Sequence, residues 1–333
     1  MRELFGKYKN LSIAVFGDYC LDEYLWIDAA LNEPSLETGL VAYQCVKRES
    51  FTGAAGTIAK NLANLGVGTV YAVGCVGDDG RGMELLRGLD FLGINRDYMI
   101  TAKNRVTPAY TKPWLIENGQ TRELSRIDIK NWTETPTELE DTALDQLKGL
   151  IGKLDALIVL DQMTEPNCGI ITDRVRNELE IIAQQNPGLI VYADSRMRIG
   201  KFHEMIIKGN QHEITRAVFG EESDDPAEIR RSCEVLREKN HKPVIVTLGE
   251  KGAWIDGSEN IIEIPGVVLS GQLDVCGAGD MFTAAFITAL AAGANMENAG
   301  KIGNIAAAIC VTQLGTSGYV KQDDLLEMLE KSC

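Results

Sequence analysis

From residue 139 onward the chain alternates helical periodicity with short, almost wholly apolar runs, and this alternation constrains the fold more than any other feature. Glu138–Ile151 leads into Ala156–Leu160 (ALIVL), Thr172–Gln185 into Leu189–Ala193, and Pro226–Lys239 into Pro243–Leu248. Apolar runs without polar alternation suit strands buried on both faces, and a parallel sheet covered by helices provides that burial. Leu11–Gly17 (LSIAVFG) and Val70–Val76 have the same character, with helical segments at Gly56–Leu65 and Met83–Leu92 between and after them. The predicted fold class is α/β: a doubly wound, mostly parallel sheet flanked by helices.

Two regions break the rhythm. Leu25 to Arg48 alternates apolar and polar residues around Pro34, and Ala109–Ile116 and Thr121–Ile127 alternate on either side of Glu117-Asn118-Gly119-Gln120. Asn-Gly fits the primed turn of a tight hairpin. These segments, about 24–50 and 106–128, are expected to form antiparallel strands apart from the main sheet, acting as a small β lid. No Ser/Gly/Pro linker or internal repeat divides the chain, so one core spanning 1–333 is expected.

Charge and composition narrow the partners. The formal net charge is −15, whereas nucleic-acid binders and proteins that dock on anionic lipid need a basic footprint. No stretch approaches the length of a membrane span; the richest, Met281–Ala292, reads as a buried helix, and the opening MRELFGKYKN has no apolar leader core. The eight cysteines form no CxxC pair, and the three histidines (His203, His212, His241) lack metal-ligand spacing. Reduced thiols and a cytoplasmic location are expected, and neither a zinc site nor a His-based hydrolase is.

The sharpest motif is Leu273-Asp274-Val275-Cys276-Gly277-Ala278-Gly279-Asp280, which runs directly into the helical pattern Met281–Ala292. Small residues at a helix start expose backbone N–H groups where the helix dipole is positive, an arrangement suited to charge on a transferring phosphoryl group. Asp280, in the first turn, is placed to accept a proton from an attacking hydroxyl; an N-capping Asp after a Gly-rich turn has the same sequence pattern.

Other segments take the same direction. Asp18 and Asp22, in Gly17-Asp18-Tyr19-Cys20-Leu21-Asp22, sit at the C-terminal edge of the first strand, where α/β proteins bind ligands and where carboxylates suit sugar hydroxyls. The small-residue turn Gly53-Ala54-Ala55-Gly56-Thr57 lets backbone approach a ligand. Asn210 and Glu213, three apart at a helical start, carry oxygens suited to Mg²⁺, and the same spacing makes a capping box. Thr247-Leu248-Gly249-Glu250-Lys251-Gly252 is a turn able to take phosphate or ribose or to form a plain hairpin. Arg196, Arg198, Lys201 and Lys208 form a local basic cluster in an acidic chain, suited to phosphate.

In this order, over Ile13 to Val320, the motifs resemble the PfkB (ribokinase-like) carbohydrate kinases. The strongest matches are Asp274-x-x-Gly277-Ala278-Gly279-Asp280, Asn210-x-x-Glu213 and the Thr247–Gly252 turn. Gly17 to Tyr24, Asn32-Glu33-Pro34, Arg126-Ile127-Asp128 and Leu314-Gly315-Thr316-Ser317 look most like the heptose-phosphate kinases related to the kinase half of ADP-heptose synthase. The resemblance implies an ATP-dependent kinase of a sugar or sugar phosphate. Asp280 would be the base, and Gly277, Ala278 and Gly279 the anion hole. Asn210 and Glu213 would organise Mg²⁺, with Thr247, Gly249, Gly252 and Asn304 at ATP. Asp18, Asp22, Gly53, Ala54, Thr57 and Lys112 would surround the sugar. It also implies K⁺ held by the Asp274 carboxylate and by carbonyls of Cys276, Cys310, Gln313 and Gly315, and a homodimer paired through the β lid.

The departures from the family pattern fall around the expected sugar pocket. Ala54 and Thr57 stand where the family has Gly and Asn, and Thr111-Lys112-Pro113-Trp114 replaces a Thr-Lys-Thr-Arg run. A kinase of another small alcohol (a ketohexose, nucleoside or vitamin) and a catalytically silent nucleotide-binding regulator therefore stand as alternatives at this stage.

Overall fold

The computed structural model describes residues 1–257, 260–313 and 318–331. In chain order its strands are β1 (Ser12–Asp28), β2 (Glu33–Pro34), β3 (Val41–Ala42), β4 (Cys45–Ala54), β5 (Thr69–Gly77), β6 (Asn95–Ala102), β7 (Ala109–Glu117), β8 (Gln120–Glu123), β9 (Ile127–Ile129), β10 (Ala156–Asp161), β11 (Ile190–Ser195), β12 (Ile206–Asn210), β13 (Val244–Thr247), β14 (Gly252–Asp256) and β15 (Ile261–Pro265). The helices are α1 (Arg2–Gly6), α2 (Ala55–Asn64), α3 (Gly80–Phe91), α4 (Thr137–Leu150), α5 (Asp173–Gln185), α6 (Gln211–Phe219), α7 (Pro226–Asn240), α8 (Ala278–Ala291), α9 (Met296–Val311) and α10 (Gln322–Lys331).

The main sheet has the order β15-β14-β13-β12-β11-β10-β1-β5-β6, parallel from β13 to β6, with β14 and β15 antiparallel at one edge. Alternate residues of β1 feed the two sides. Ile13 and Val15 join a core with Ile58, Phe282, Phe286 and Ile302 of α2, α8 and α9, whereas Ala14 and Phe16 join one with Leu144, Leu179 and Leu236 of α4, α5 and α7. Every residue of β10 is buried, as its unbroken apolar run requires between two helical layers. The doubly wound α/β reading therefore holds.

The smaller sheet forms as well, but it shares a strand with the main one. β1 runs for 17 residues; after Asp18 it leaves β10 and β5 and pairs antiparallel with β4 and parallel with β7. The sequence places Asp18 and Asp22 at the C-terminal edge of the first strand, yet the strand passes straight through them and through Glu23. Glu23 sits on it, 3% exposed, and accepts from Arg48 (2.7 Å), Arg81 (3.0 Å) and Thr111 (2.7 Å). A buried carboxylate so partnered does not need a turn to reach water. β8 and β9 complete this second sheet against β7, and the hairpin turn forms as expected, with positive φ at Asn118 (50°) and Gly119 (75°).

Among the strands not anticipated from the sequence are β6 and β12. β6 is a half-exposed edge strand (NRDYMITA) with no apolar run, and β12 (IIKGN) contains a buried lysine. Among the described residues no helix is long and apolar enough to cross a membrane.

Candidate active site

The C-terminal ends of β10 to β13, the face of the second sheet carrying Asp22 and the start of α8 enclose a cavity of about 670 Å³. Crevices outside the carboxyl ends of parallel strands are where α/β sheets bind ligands.

At the α8 edge, Gly277 takes φ 80° and ψ 0°, a left-handed conformation that favours glycine, and the helix starts with no side-chain cap. The Ala278 N–H turns back to the Val275 carbonyl at 3.3 Å. First-turn amides have no partner within their own helix, so Gly277, Gly279 and Asp280, all lining the cavity, bring N–H groups and the positive end of the helix dipole to it. Ala278 is not among the lining residues.

Asp280 is the most perturbed carboxyl here. Burial raises its pKa to about 7, Asp194 and Asp22 add to the rise, and Lys208 and Lys60 oppose it. Lys208 reaches Asp194 at 2.8 Å, with both side chains largely buried. Burial works against its ammonium, but the neighbouring Asp194 outweighs this and holds it protonated. A β-carbon on Gly279 would lie 3.1 Å from Lys208 Nζ, so this glycine seats the start of α8 directly against the ammonium.

Asn210 and Glu213 both line the cavity and form the capping box of α6: Asn210 Oδ1 accepts from the Glu213 N–H and Glu213 Oε2 from the Asn210 N–H, each at 2.8 Å. Burial, reinforced by Asp194, raises the Glu213 carboxyl pKa. One oxygen of each side chain is thus committed to the helix end. Thr247 lines the cavity nearby, but Gly249, Gly252 and Asn304 do not. Gly252 (φ 98°) is held within 2.1 Å of the Ile264 carbonyl, measured from where a β-carbon would stand, and Asn304 donates to the Pro265 carbonyl at 2.8 Å.

On the second sheet, Asp22 faces the cavity with its pKa raised by burial against the opposing charges of Lys112, Arg126 and Lys60. Gly53 lies behind the cavity wall, where a β-carbon would come within 2.6 Å of Asp22 Oδ2. Ala54 lines the cavity at φ 52° and ψ −120°, a region natural to glycine. Thr57 also lines it, but its hydroxyl donates to the Thr52 carbonyl at 3.1 Å. Lys112 approaches the Tyr24 hydroxyl at 3.3 Å and stands over its ring.

Asp18 points elsewhere. Its Oδ2 accepts from the N–H groups of Gln162 (2.9 Å) and Met163 (3.1 Å) and its Oδ1 from that of Ile170 (2.8 Å), which corrects the expectation that it meets a sugar hydroxyl. The basic cluster also divides. Arg196 and Lys208 line the cavity, whereas Arg198 is buried against Asp161 and Lys201 pairs with Asp173 on the surface. A buried guanidinium needs an anionic partner, and Asp161, the residue just after the apolar run Ala156–Leu160, gave no hint of serving Arg198.

The candidate cation ligands come from two segments joined by the Asp274 N–H donating to the Val311 carbonyl at 2.8 Å. Asp274 Oδ1 accepts from the Cys276 N–H at 3.0 Å, and the Cys310 carbonyl accepts from the Gln313 N–H at 3.1 Å. Cys276 lines the cavity and the other three do not; Gly315 lies outside the described residues, as does the rest of Leu314–Ser317. Sequence reasoning missed Asp194, Lys130, Gln162, Thr164 and Tyr110, which all line the cavity. Asp194 follows the apolar run Leu189–Ala193 near the C-terminal end of β11, the same signal that singled out Asp18 and Asp22.

A family model described as pfkB family carbohydrate kinase matches residues 13–322. The bifunctional protein HldE of Helicobacter acinonychis is 27% identical over 308 residues, 92% of this chain and 64% of that protein; the chain thus spans just under two thirds of this relative. In structure it is similar to Arabidopsis thaliana ribokinase complexed with ribose and ATP (TM-score 0.72, 22% identity, 96% of this chain and 98% of that one). It is equally similar to Escherichia coli phosphofructokinase-2 in complex with potassium (TM-score 0.72, 19% identity, 96% and 98%).

Proposed function

The chain belongs to the pfkB family of carbohydrate kinases, and from that premise we propose that it transfers the γ-phosphoryl group of ATP to a hydroxyl of a sugar phosphate of the heptose-phosphate kind. The observation that carries this reading is Asp280: a carboxyl with its pKa near 7, in the first turn of an uncapped helix, facing a cavity that Asp22 enters from the opposite sheet. A base of that pKa is half-ionised near neutrality, where proton transfer is most effective.

In the proposed reaction Asp22 and Lys112 hold the acceptor with one hydroxyl toward Asp280, which takes its proton as the oxygen attacks phosphorus. Charge on the transferring group meets the α8 amides and the Lys208 ammonium, both fixed before substrate arrives. Thr247, Asn210 and Arg196 line the route for the nucleotide phosphates. Among the described residues no three His, Cys, Asp or Glu side chains converge on a metal. The uncommitted Glu213 oxygen is a hard donor that fits Mg²⁺ arriving with ATP, most of whose ligands would be phosphate and water, and bound Mg²⁺ would neutralise phosphate charge. Asp274 and the carbonyls at Cys276, Cys310 and Gln313, at the negative end of α9, suit K⁺.

What supports a phosphorylated acceptor is that Lys112, Arg126 and Lys130, all on or beside the second sheet, line the cavity. The proposal extends to the second sheet as a lid on a single kinase domain, and to a homodimer paired through it, because Leu36, Leu40, Val41 and Tyr43 on the insertion between β1 and β4 are all exposed. ADP release should be followed with ATP-Mg²⁺ over heptose phosphates, hexose phosphates, free sugars and nucleosides. Turnover highest with a phosphorylated sugar supports the reading, and turnover with unphosphorylated acceptors alone, or with none, overturns it.

A further inference from the structure

The segment Gln162–Thr164, which follows β10 and turns Gln162 and Thr164 into the cavity, has its backbone held from both sides by buried charges. Asp18, 5% exposed, receives the N–H groups of Gln162 and Met163. Arg198, 9% exposed, donates to the carbonyls of Met163 (2.7 Å) and Thr164 (3.1 Å). Loop backbone beside a ligand cavity is ordinarily satisfied by water, which moves when the ligand enters. Here charge-assisted bonds replace it, and these are shorter and stronger than neutral ones.

Each member of the clamp is itself fixed. The Arg198 guanidinium meets Asp161 Oδ1 at 3.2 Å, its backbone N–H donates to Ser195 Oγ at 2.9 Å, and Ser195 Oγ donates to Asp161 Oδ2 at 2.7 Å. Arg176 reaches the same Asp161 oxygen at 3.4 Å. Asp18 also accepts the Ile170 N–H, so one carboxylate closes both ends of the loop from Gln162 to Ile170. Across the cavity, the Lys130 ammonium next to the second sheet donates to Thr164 Oγ1 at 3.2 Å and to Glu165 at 3.1 Å.

We propose that Arg198 and Asp18 are positioning residues: by fixing the backbone of Gln162–Thr164 they make one wall of the cavity rigid, and the acceptor substrate is selected against that wall. The inference rests on the kinase reading for its substrate but not for the clamp, and the two are tested separately.

Hydrogen exchange on the ligand-free protein addresses the clamp. Asp18→Asn should raise exchange at Gln162, Met163 and Ile170 by at least tenfold while β11 and β12 keep their protection; unchanged exchange at those three amides overturns the proposal. Steady-state kinetics address the consequence. Arg198→Lys keeps a charge beside Asp161 but loses the two-pronged grip, so the acceptor KM should rise about tenfold, with kcat and the ATP KM within twofold of the wild type. An unchanged acceptor KM, or equal losses for acceptor and ATP, overturns it. If the wild-type protein turns over no acceptor the kinase reading fails, and the exchange result still decides the clamp.

Discussion

Lys208 Nζ stands 2.8 Å from Asp194 Oδ2 and 3.1 Å from the point where Gly279 would carry a β-carbon. The ammonium therefore neutralises Asp194, lowers the Asp280 pKa and touches the start of α8 at once. Lys208→Met should lower kcat by about a hundredfold or more, as expected when a fixed charge at a transferring group is lost. It should also move the acidic limb of the kcat–pH profile upward, because Asp280 loses an opposing cation. Asp194→Asn removes an anion and should move that limb downward. Limbs that stay in place would separate this pair from the base.

Asp280→Asn should reduce turnover by about 10² to 10⁴-fold, the range supplied by a positioned base, while calorimetry shows ATP binding retained. The same variant should be more stable at neutral pH. Asp280 has a folded pKa near 7 and an unfolded one near the ordinary carboxyl value. The folded state thus holds a proton that the unfolded state has released, and stability falls as pH rises between these values. The gain in melting temperature should be present at pH 8 and vanish near pH 4.

Gly53→Ala would place a methyl 2.6 Å from Asp22 Oδ2 and push the carboxylate out of place. A rise of about tenfold or more in the acceptor KM, with the ATP KM unchanged, is expected, since small misplacements at a substrate-positioning group are costly. Equal effects on both substrates would mean that Asp22 does not serve the acceptor.

Ala54→Gly should stabilise the protein. Strain at a backbone conformation like that of Ala54 costs about 1–3 kcal/mol, and the added freedom of an unfolded glycine offsets about 0.4–1 kcal/mol. A net gain of about 1 kcal/mol, or one to two degrees in Tm, is the expectation; a fall in Tm would show that the conformation is not strained.

Leu36→Asp combined with Val41→Asp changes two exposed side chains, so folding should be unaffected. By sedimentation equilibrium the variant should be a monomer and the wild type a dimer. A monomeric wild type removes the pairing through the second sheet.

The sequence made the sheet legible because β10 and its neighbours are apolar throughout, and it made the start of α8 legible because three small residues precede Asp280. It hid what depends on partners distant in sequence. Asp18 and Asp22 look alike, four residues apart, but one binds backbone 144 to 152 residues away and the other faces the cavity. Arg198 and Lys208 look like one patch until Asp161 claims the first and Asp194 the second. Thr57 suggested a sugar contact, and a local bond to Thr52 takes its only proton. Periodicity reports which face is buried; it carries no information about which buried charge meets which.

β1 belongs to two sheets without a break at Tyr19, laddered to β5 through Asp18 and to β4 from Tyr19 onward. With no loop at that junction, the second sheet cannot swing as a flap on a pivot. β4 likewise enters α2 with no loop between Ala54 and Ala55, so any displacement of the second sheet has to be taken up as added or released twist along these strands, and β1 works as a torsion bar. Asp18 sits where the bar is still laddered to β5 and Asp22 four residues along it, so twist in the bar would turn the carboxylate that faces the cavity more than the one that holds the loop.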